Sequence, residues 1–203
     1  MEGPTPPTGS ARIAPGTTED IGRINSGIAR LLGAATGGPP PNVFTTLARH
    51  RRIFRPWLRF AGALMPGGVL PRADTELLIL RVAHNCGSAY EWRQHERIAL
   101  TAGLSSEQVL RVIAGPDAEG WSGRHRLLLR AADELHADRT ISEGLWAELR
   151  PMLSDRELIE LPMLVGHYEM LAMTLNSLAV QPDELPDSPP PRVVRALTSL
   201  RNR

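Results

Sequence analysis

The run Leu77-Leu78-Ile79-Leu80-Arg81-Val82-Ala83 leaves almost no polar side to the segment that follows Pro71. A helix that is apolar on most of its sides persists only inside a protein, so this segment is the element the others must cover. Pro71 suits its first turn, where a missing N–H costs nothing, and Gly87 ends it. No stretch of the chain shows the two-residue alternation of a half-buried strand. The expected fold is therefore all-α, a compact bundle of about eight helices.

The remaining helices follow from spacing and caps. A first helix is expected from Thr18, with Glu19 and Asp20 in its first turn and Ile21, Ile24, Ile28 and Leu31 turned inward. Asn42 caps a second through Leu47, and helical spacing resumes from Ile53 to Leu64 with a break before Pro56. Beyond the central helix come Ser88 to Thr101, a short helix boxed by Ser105 and Gln108, Arg124 to His136, and one starting at Ser142. The last runs from Ser154, with Glu157 as capping partner, to Leu178 across a kink at Pro162. Residues 1–18, rich in Pro, Gly and Thr, form a flexible tail before a helical domain over 19–181. Residues 182–203 are a Pro/Arg-rich tail, either disordered or docking Val193, Val194, Leu197 and Leu200 on a neighbouring subunit.

Composition narrows the chemistry. All 23 basic residues are arginine. Without lysine there is no Schiff-base chemistry and no lysine base. The lone cysteine, Cys86, excludes a disulfide framework or a dithiol motif within one chain. A net charge of +1 with both signs interspersed gives no footprint for nucleic acid. No apolar run approaches the ~20 residues of a membrane span, and the N-terminus lacks a signal-peptide pattern, so a cytoplasmic location is expected.

Between Glu76 and His95 several ionisable groups stand at spacings that suit one pocket. On a helix starting at Ser88, the side chains of Ser88, Glu91 and His95 share a stripe at i, i+3 and i+7. Glu76, on the preceding apolar helix, can return past Gly87 toward the same stripe. His95 is the natural proton donor or acceptor at neutral pH, with Glu91 or Glu76 to orient it. Tyr90 can donate a hydrogen bond, although it faces another side or a subunit contact. His167, in a second cluster with Tyr168, Glu169 and Asn176, is a candidate for the substrate wall, as is Trp92; the plainer expectation for both is core. A mixed N/O metal site at Glu76, Glu91 and His95 has only a weak signal, so neither metal nor cofactor is expected. Cys86 reads as a small buried residue. The competing account of Glu76, Glu91 and His95 is a satisfied polar cluster that fixes helix packing.

The stretch LPRADTELLILRVAHNCGSAYEWRQHERIALTAGLSSEQV resembles the signature of the carboxymuconolactone decarboxylase family, which includes the alkylhydroperoxidase D-like proteins. The likeness extends from Phe54 to Asp183. It implies an all-helical, homo-oligomeric protein (dimer, trimer or hexamer) with its site near subunit contacts. In the redox branch of that family a glutamate, a Cys-x-x-Cys pair and a histidine relay protons. Here the glutamate and histidine positions fall on Glu76 and His95, and the two cysteine positions on Ser88 and Glu91. No dithiol peroxidase can work without both thiols. The resemblance is to the subset that lacks the redox pair. The decarboxylase branch acts on a small lactone carboxylate with acid/base groups alone, which implies a lyase, decarboxylase or isomerase. The alternatives are a weak alkylhydroperoxidase activity through Cys86 or a non-catalytic oligomeric receptor for a small ligand.

Overall fold

The computed structural model describes residues 3–183. Among them are ten α-helices and no strand: α1 (Thr18–Ile21), α2 (Arg23–Thr36), α3 (Asn42–Leu47), α4 (Arg51–Leu64), α5 (Arg72–Asn85), α6 (Ala89–Ala102), α7 (Ser106–Ala114), α8 (Gly123–Asp138), α9 (Glu143–Leu149) and α10 (Asp155–Leu178). None is long and apolar enough to cross a membrane. Residues 193–200, expected to dock or stay disordered, lie outside the described residues. Contacts divide the chain into two compact units, one built on Ala61–Asn176 and the other on Pro7–Phe60.

The unit built on Pro7–Phe60 departs from the sequence reading in four places. Thr17, not Thr18, precedes the first helix, its N–H donating to the Asp20 carboxylate at 2.9 Å. Gly22, at φ +81°, then splits the expected helix in two. The phase of α2 is reset there, so Ile24 and Leu31 are 64% and 71% exposed rather than inward. Asn42 is the first residue of α3, not its cap: its N–H donates to the Asp183 carboxylate at 2.7 Å and its amide to the Gln181 carbonyl at 3.0 Å. Pro56 lies inside α4 and does not break it. Ile21, Ala48 and Phe54 form the core, with Ile28, Phe44, Leu47, Trp57 and Leu58 packed on it. Residues ahead of α1 are tied by backbone bonds, Arg12 N–H to the Leu178 carbonyl at 2.9 Å and Gly16 N–H to the Thr45 carbonyl at 3.1 Å.

In the unit built on Ala61–Asn176, α5 is buried along nearly its whole length, as its composition requires. Leu77, Leu80 and Ala83 enter a core with Trp92 and Ala99 of α6, Val109 and Val112 of α7, Leu129 of α8 and the loop residue Trp121. Burying one leucine here contributes about 1.5–3 kcal/mol, so this cluster holds the unit together. The first turn of α5 is anchored by charge: Asp74 accepts from Arg124 Nε at 2.7 Å, and Arg124 also reaches Glu157 at 3.0 Å, joining α5, α8 and α10.

Two tight corners fix the helix ends. Before α5, the Glu160 carboxylate accepts from the N–H groups of Val69 and Leu70. Gly68 is required there, because a Cβ would lie 2.0 Å from Glu160 Oε1 and 2.5 Å from the Leu64 carbonyl. Between α5 and α6 the link is shorter still. Gly87, at φ +61°, donates to the His84 carbonyl at 3.1 Å while Ser88 N–H donates to the Ala83 carbonyl at 2.8 Å. This pair of bonds is the Schellman ending of a helix. Ser88 is at once the last residue of that ending and the N-cap of α6.

Candidate active site

That corner brings the carboxylate of α5 onto the imidazole of α6. His95 Nδ1 lies 2.7 Å from Glu76 Oε2, and the other Glu76 oxygen contacts the Arg72 guanidinium at 2.7 Å. Arg72 and Glu76 are one turn apart on α5, so the ion pair is local. Glu76 is 0% exposed. A carboxylate only accepts, so the ring hydrogen sits on Nδ1 and Nε2 presents its lone pair away from Glu76. Of the two glutamates that spacing offered as the orienting group, Glu76 fills the role.

Glu91 does something else. It is 2% exposed, and burial pushes its carboxyl up to about 8, slightly offset by the neighbouring Ser88 hydroxyl. Neither carboxyl oxygen has a hydrogen-bond partner among the described residues, and neither has the buried Ser88 Oγ, so the hydroxyl is near without meeting bonding geometry. Ser88 and Glu91 hold the N-cap and N3 positions of a capping box, yet the box is not made. The reason is that the Ser88 N–H, which the Glu91 carboxylate would accept, is already spent on the Ala83 carbonyl. Glu91 is thus a carboxylic acid that keeps its proton at neutral pH, one helical turn before a histidine whose Nδ1 is held by Glu76.

The third wall comes from α10. The Tyr168 ring meets His95 edge to face, 5.2 Å between centroids, and its hydroxyl donates to Met65 Sδ at 3.5 Å. Burial, then the charge of Glu76, push the Tyr168 hydroxyl well above its ordinary value, so it remains a donor. His167 packs edge-on against Tyr168 at 5.2 Å, and burial pushes it down to about 4, leaving a neutral ring. Arg72 Nε is buried without an acceptor.

The sequence-derived residues fall into two groups. Glu76, Ser88, Glu91 and His95 are all buried on the facing parts of α5 and α6. Trp92 is in the apolar core and edge-on to His84 at 6.4 Å, and Tyr90 is buried next to Glu91 in the chain. Tyr168 and Arg72 complete the constellation. Tyr168 carried no signal beyond its place in the second cluster of the last helix, whereas Arg72 stands at i, i+4 from Glu76. Among the described residues, the donor atoms of Glu76, Glu91 and His95 do not converge on a point where a metal could sit. A surface depression of about 560 Å³, lined by Ile13, Thr46, Leu47, Leu178 and the basic run His50 to Arg52, holds none of these acid/base groups.

An all-helical chain with a glutamate and a histidine paired across two helices joined by one glycine defines a class, and comparison identifies it. Residues 51–134 match the model of the carboxymuconolactone decarboxylase family. An uncharacterized peroxidase-related protein from Silicibacter sp. TM1040 superposes with a TM-score of 0.75 at 14% identity, covering 88% of this chain and 96% of its own. The alkylhydroperoxidase AhpD core of an uncharacterized peroxidase-related protein from Ralstonia eutropha JMP134 gives 0.73 at 17% identity, covering 88% and 95%. A debrominase with one cysteine replaced by alanine, in complex with 2,3,4-tribromopyrrole, gives 0.72 at 12% identity, covering 94% and 97%. These likenesses define the fold. No protein of curated function matches the chain by sequence.

Proposed function

We propose that the protein is a cofactor-independent acid/base enzyme, a lyase, decarboxylase or isomerase acting on a small carboxylate or lactone. One observation carries this reading: Glu91, a fully buried carboxyl raised to about 8 with neither oxygen hydrogen-bonded. A cluster kept only for packing satisfies its polar groups, because each orphan costs about 1–3 kcal/mol. Here the Glu91 carboxyl, the Ser88 hydroxyl and Arg72 Nε are all left over beside an oriented histidine. A carboxyl raised by burial and an imidazole oriented through one ring nitrogen are the kinds of group general acid/base catalysis uses.

In this reading His95 Nε2 removes a proton from carbon, and the imidazolium formed is stabilised by Glu76. Glu91 delivers a proton to the developing oxyanion or to the adjacent carbon. Arg72 Nε meets the substrate carboxylate. The test is exchange in deuterium oxide: small lactone acids, keto acids and aromatic acids are incubated with the protein, and loss of C–H signal is followed by proton NMR. Exchange or turnover by the wild type that falls about 10²-fold or more in His95→Gln is the expected result. Equal rates in the two would remove His95 from the chemistry. A thiol peroxidase is disfavoured, because burial, then Glu169, push the Cys86 thiol up to about 11 and leave almost no thiolate at neutral pH.

We further propose that the protein is a homo-oligomer whose contact is α10. Ile159, Met163, Met170 and Met173 are exposed on it at alternating spacings of about three and four, with Gly166 completing the row. A straight apolar stripe of this kind is complementary to a second copy of itself across a two-fold axis.

A further inference from the structure

On the far side of the α5–α6 corner a second group of side chains gathers that the acid/base site does not use. Cys86, the C-cap residue of α5, His136 of α8 and Glu169 of α10 each offer a donor atom, and the three atoms lie within 4.8 Å of one another. Cys86 Sγ is 3.9 Å from His136 Nδ1, which is 2.7 Å from Glu169 Oε1.

This is not the relay of a cysteine hydrolase. There the base takes the thiol proton on one ring nitrogen and is oriented through the other. In this cluster the sulfur and the carboxylate both address Nδ1, so the three donors converge instead of forming a chain. Convergence of a thiol, an imidazole and a carboxylate is the geometry of a cation site. A tetrahedral zinc ion, with bonds of about 2.3 Å to sulfur and 2.0–2.1 Å to nitrogen and oxygen, holds its ligand atoms about 3.3–3.6 Å apart. Sγ must approach Nδ1, now 3.9 Å away, and Oε1 must draw back from Nδ1, now 2.7 Å away, each by about half an ångström.

We propose that Cys86, His136 and Glu169 bind a zinc ion through one sulfur, one nitrogen and one oxygen, with the fourth position left to water. On binding, the thiol gives up its proton, and the ring hydrogen moves to Nε2 so that Nδ1 presents its lone pair. The surroundings fit. Glu169 sets a negative potential at the sulfur, opposed by Arg139, whose guanidinium lies 3.5 Å from Glu169 Oε2. The corner is held from below by Asn176, whose amide donates to the Cys86 carbonyl at 2.9 Å, which fixes where the thiol can point. His136 also lines an open depression of about 370 Å³ with Arg81, His84, Asn85 and Asp133, giving an ion and its water a way in. The mixed donor set with softening sulfur selects zinc over magnesium or calcium.

The test is metal binding, read independently of any turnover. Protein stripped with a chelator is titrated with cobalt(II) and then with zinc. One cobalt per chain with a thiolate-to-metal charge-transfer band in the near ultraviolet, displaced by zinc, is expected. Cys86→Ser should lose the band, and Glu169→Gln should weaken zinc by about tenfold or more. Arg139→Asn, which keeps a side chain suited to the positive φ of this position, should tighten it. Because Arg139 is largely exposed, that variant tests the site even where a ligand substitution unfolds the chain. A wild type without a charge-transfer band, or zinc affinity unmoved in both Cys86→Ser and Arg139→Asn, overturns the proposal.

Discussion

At the scale of the residue, Glu91 decides most. Its carboxyl ionises near 8 in the folded protein and near the ordinary carboxylate value when unfolded. Between those values the folded state holds a proton the unfolded state has lost, so stability falls as pH rises through this window. Glu91→Gln removes that loss. It should raise the melting temperature at pH 8 while changing little near pH 4, the difference amounting to several kcal/mol, and should abolish exchange activity. Thermal denaturation across pH checks this; a variant destabilised at pH 8 would make Glu91 a packing residue. The stripe of Ser88, Glu91 and His95 was legible because a helix fixes which side chains share a face, and Glu76 followed from one glycine turn. Tyr168 was not, since only the folded chain brings α10 against His95. Nor was the company of Cys86, whose neighbours His136 and Glu169 lie 50 and 83 positions away in sequence.

At the scale of the element, the start of α5 depends on ions. Burial alone would raise the Asp74 carboxyl, yet the hydrogen bonds from His125 and Arg124 outweigh it and hold it below the usual range; Glu157, bonded to Ser154 and Arg124, is also low. As pH falls into the carboxylate range the unfolded chain takes up these protons first, so the stability they contribute at neutral pH is lost in acid. Arg124→Met should cost about 2 kcal/mol at pH 7, discounted for the partly exposed arginine, and flatten the acid slope. Urea melts at pH 7 and pH 4 measure both; equal cost at the two would assign the loss to packing. Helices α5 to α10 were legible to within a few residues because their caps and stops, Pro71, Gly87, Ser105, Ser142 and Ser154, act locally. The phase of α2 was not, because the turn at Gly22 depends on a left-handed backbone that no periodicity reveals.

At the scale of the whole molecule, assembly is the open property on which the exposed row of α10 bears. Met170→Glu with Met173→Glu places charge in the middle of that row, and light scattering should show the oligomer replaced by monomer with the helical spectrum retained. An unchanged mass would move the contact elsewhere. The all-helical architecture itself was implied by one segment, since α5 has no side left for water and needs helices around it. The one-glycine link that ends this helix has a further consequence for how such a chain can diversify. Each residue advances a helix by about 100°, so a single insertion or deletion between Ala83 and Ser88 would rotate His95 away from Glu76 and Cys86 away from His136 together. The corner therefore cannot be lengthened or shortened as surface loops are, and variation around the fixed pair must come from the side chains that α10 and its neighbours bring to it.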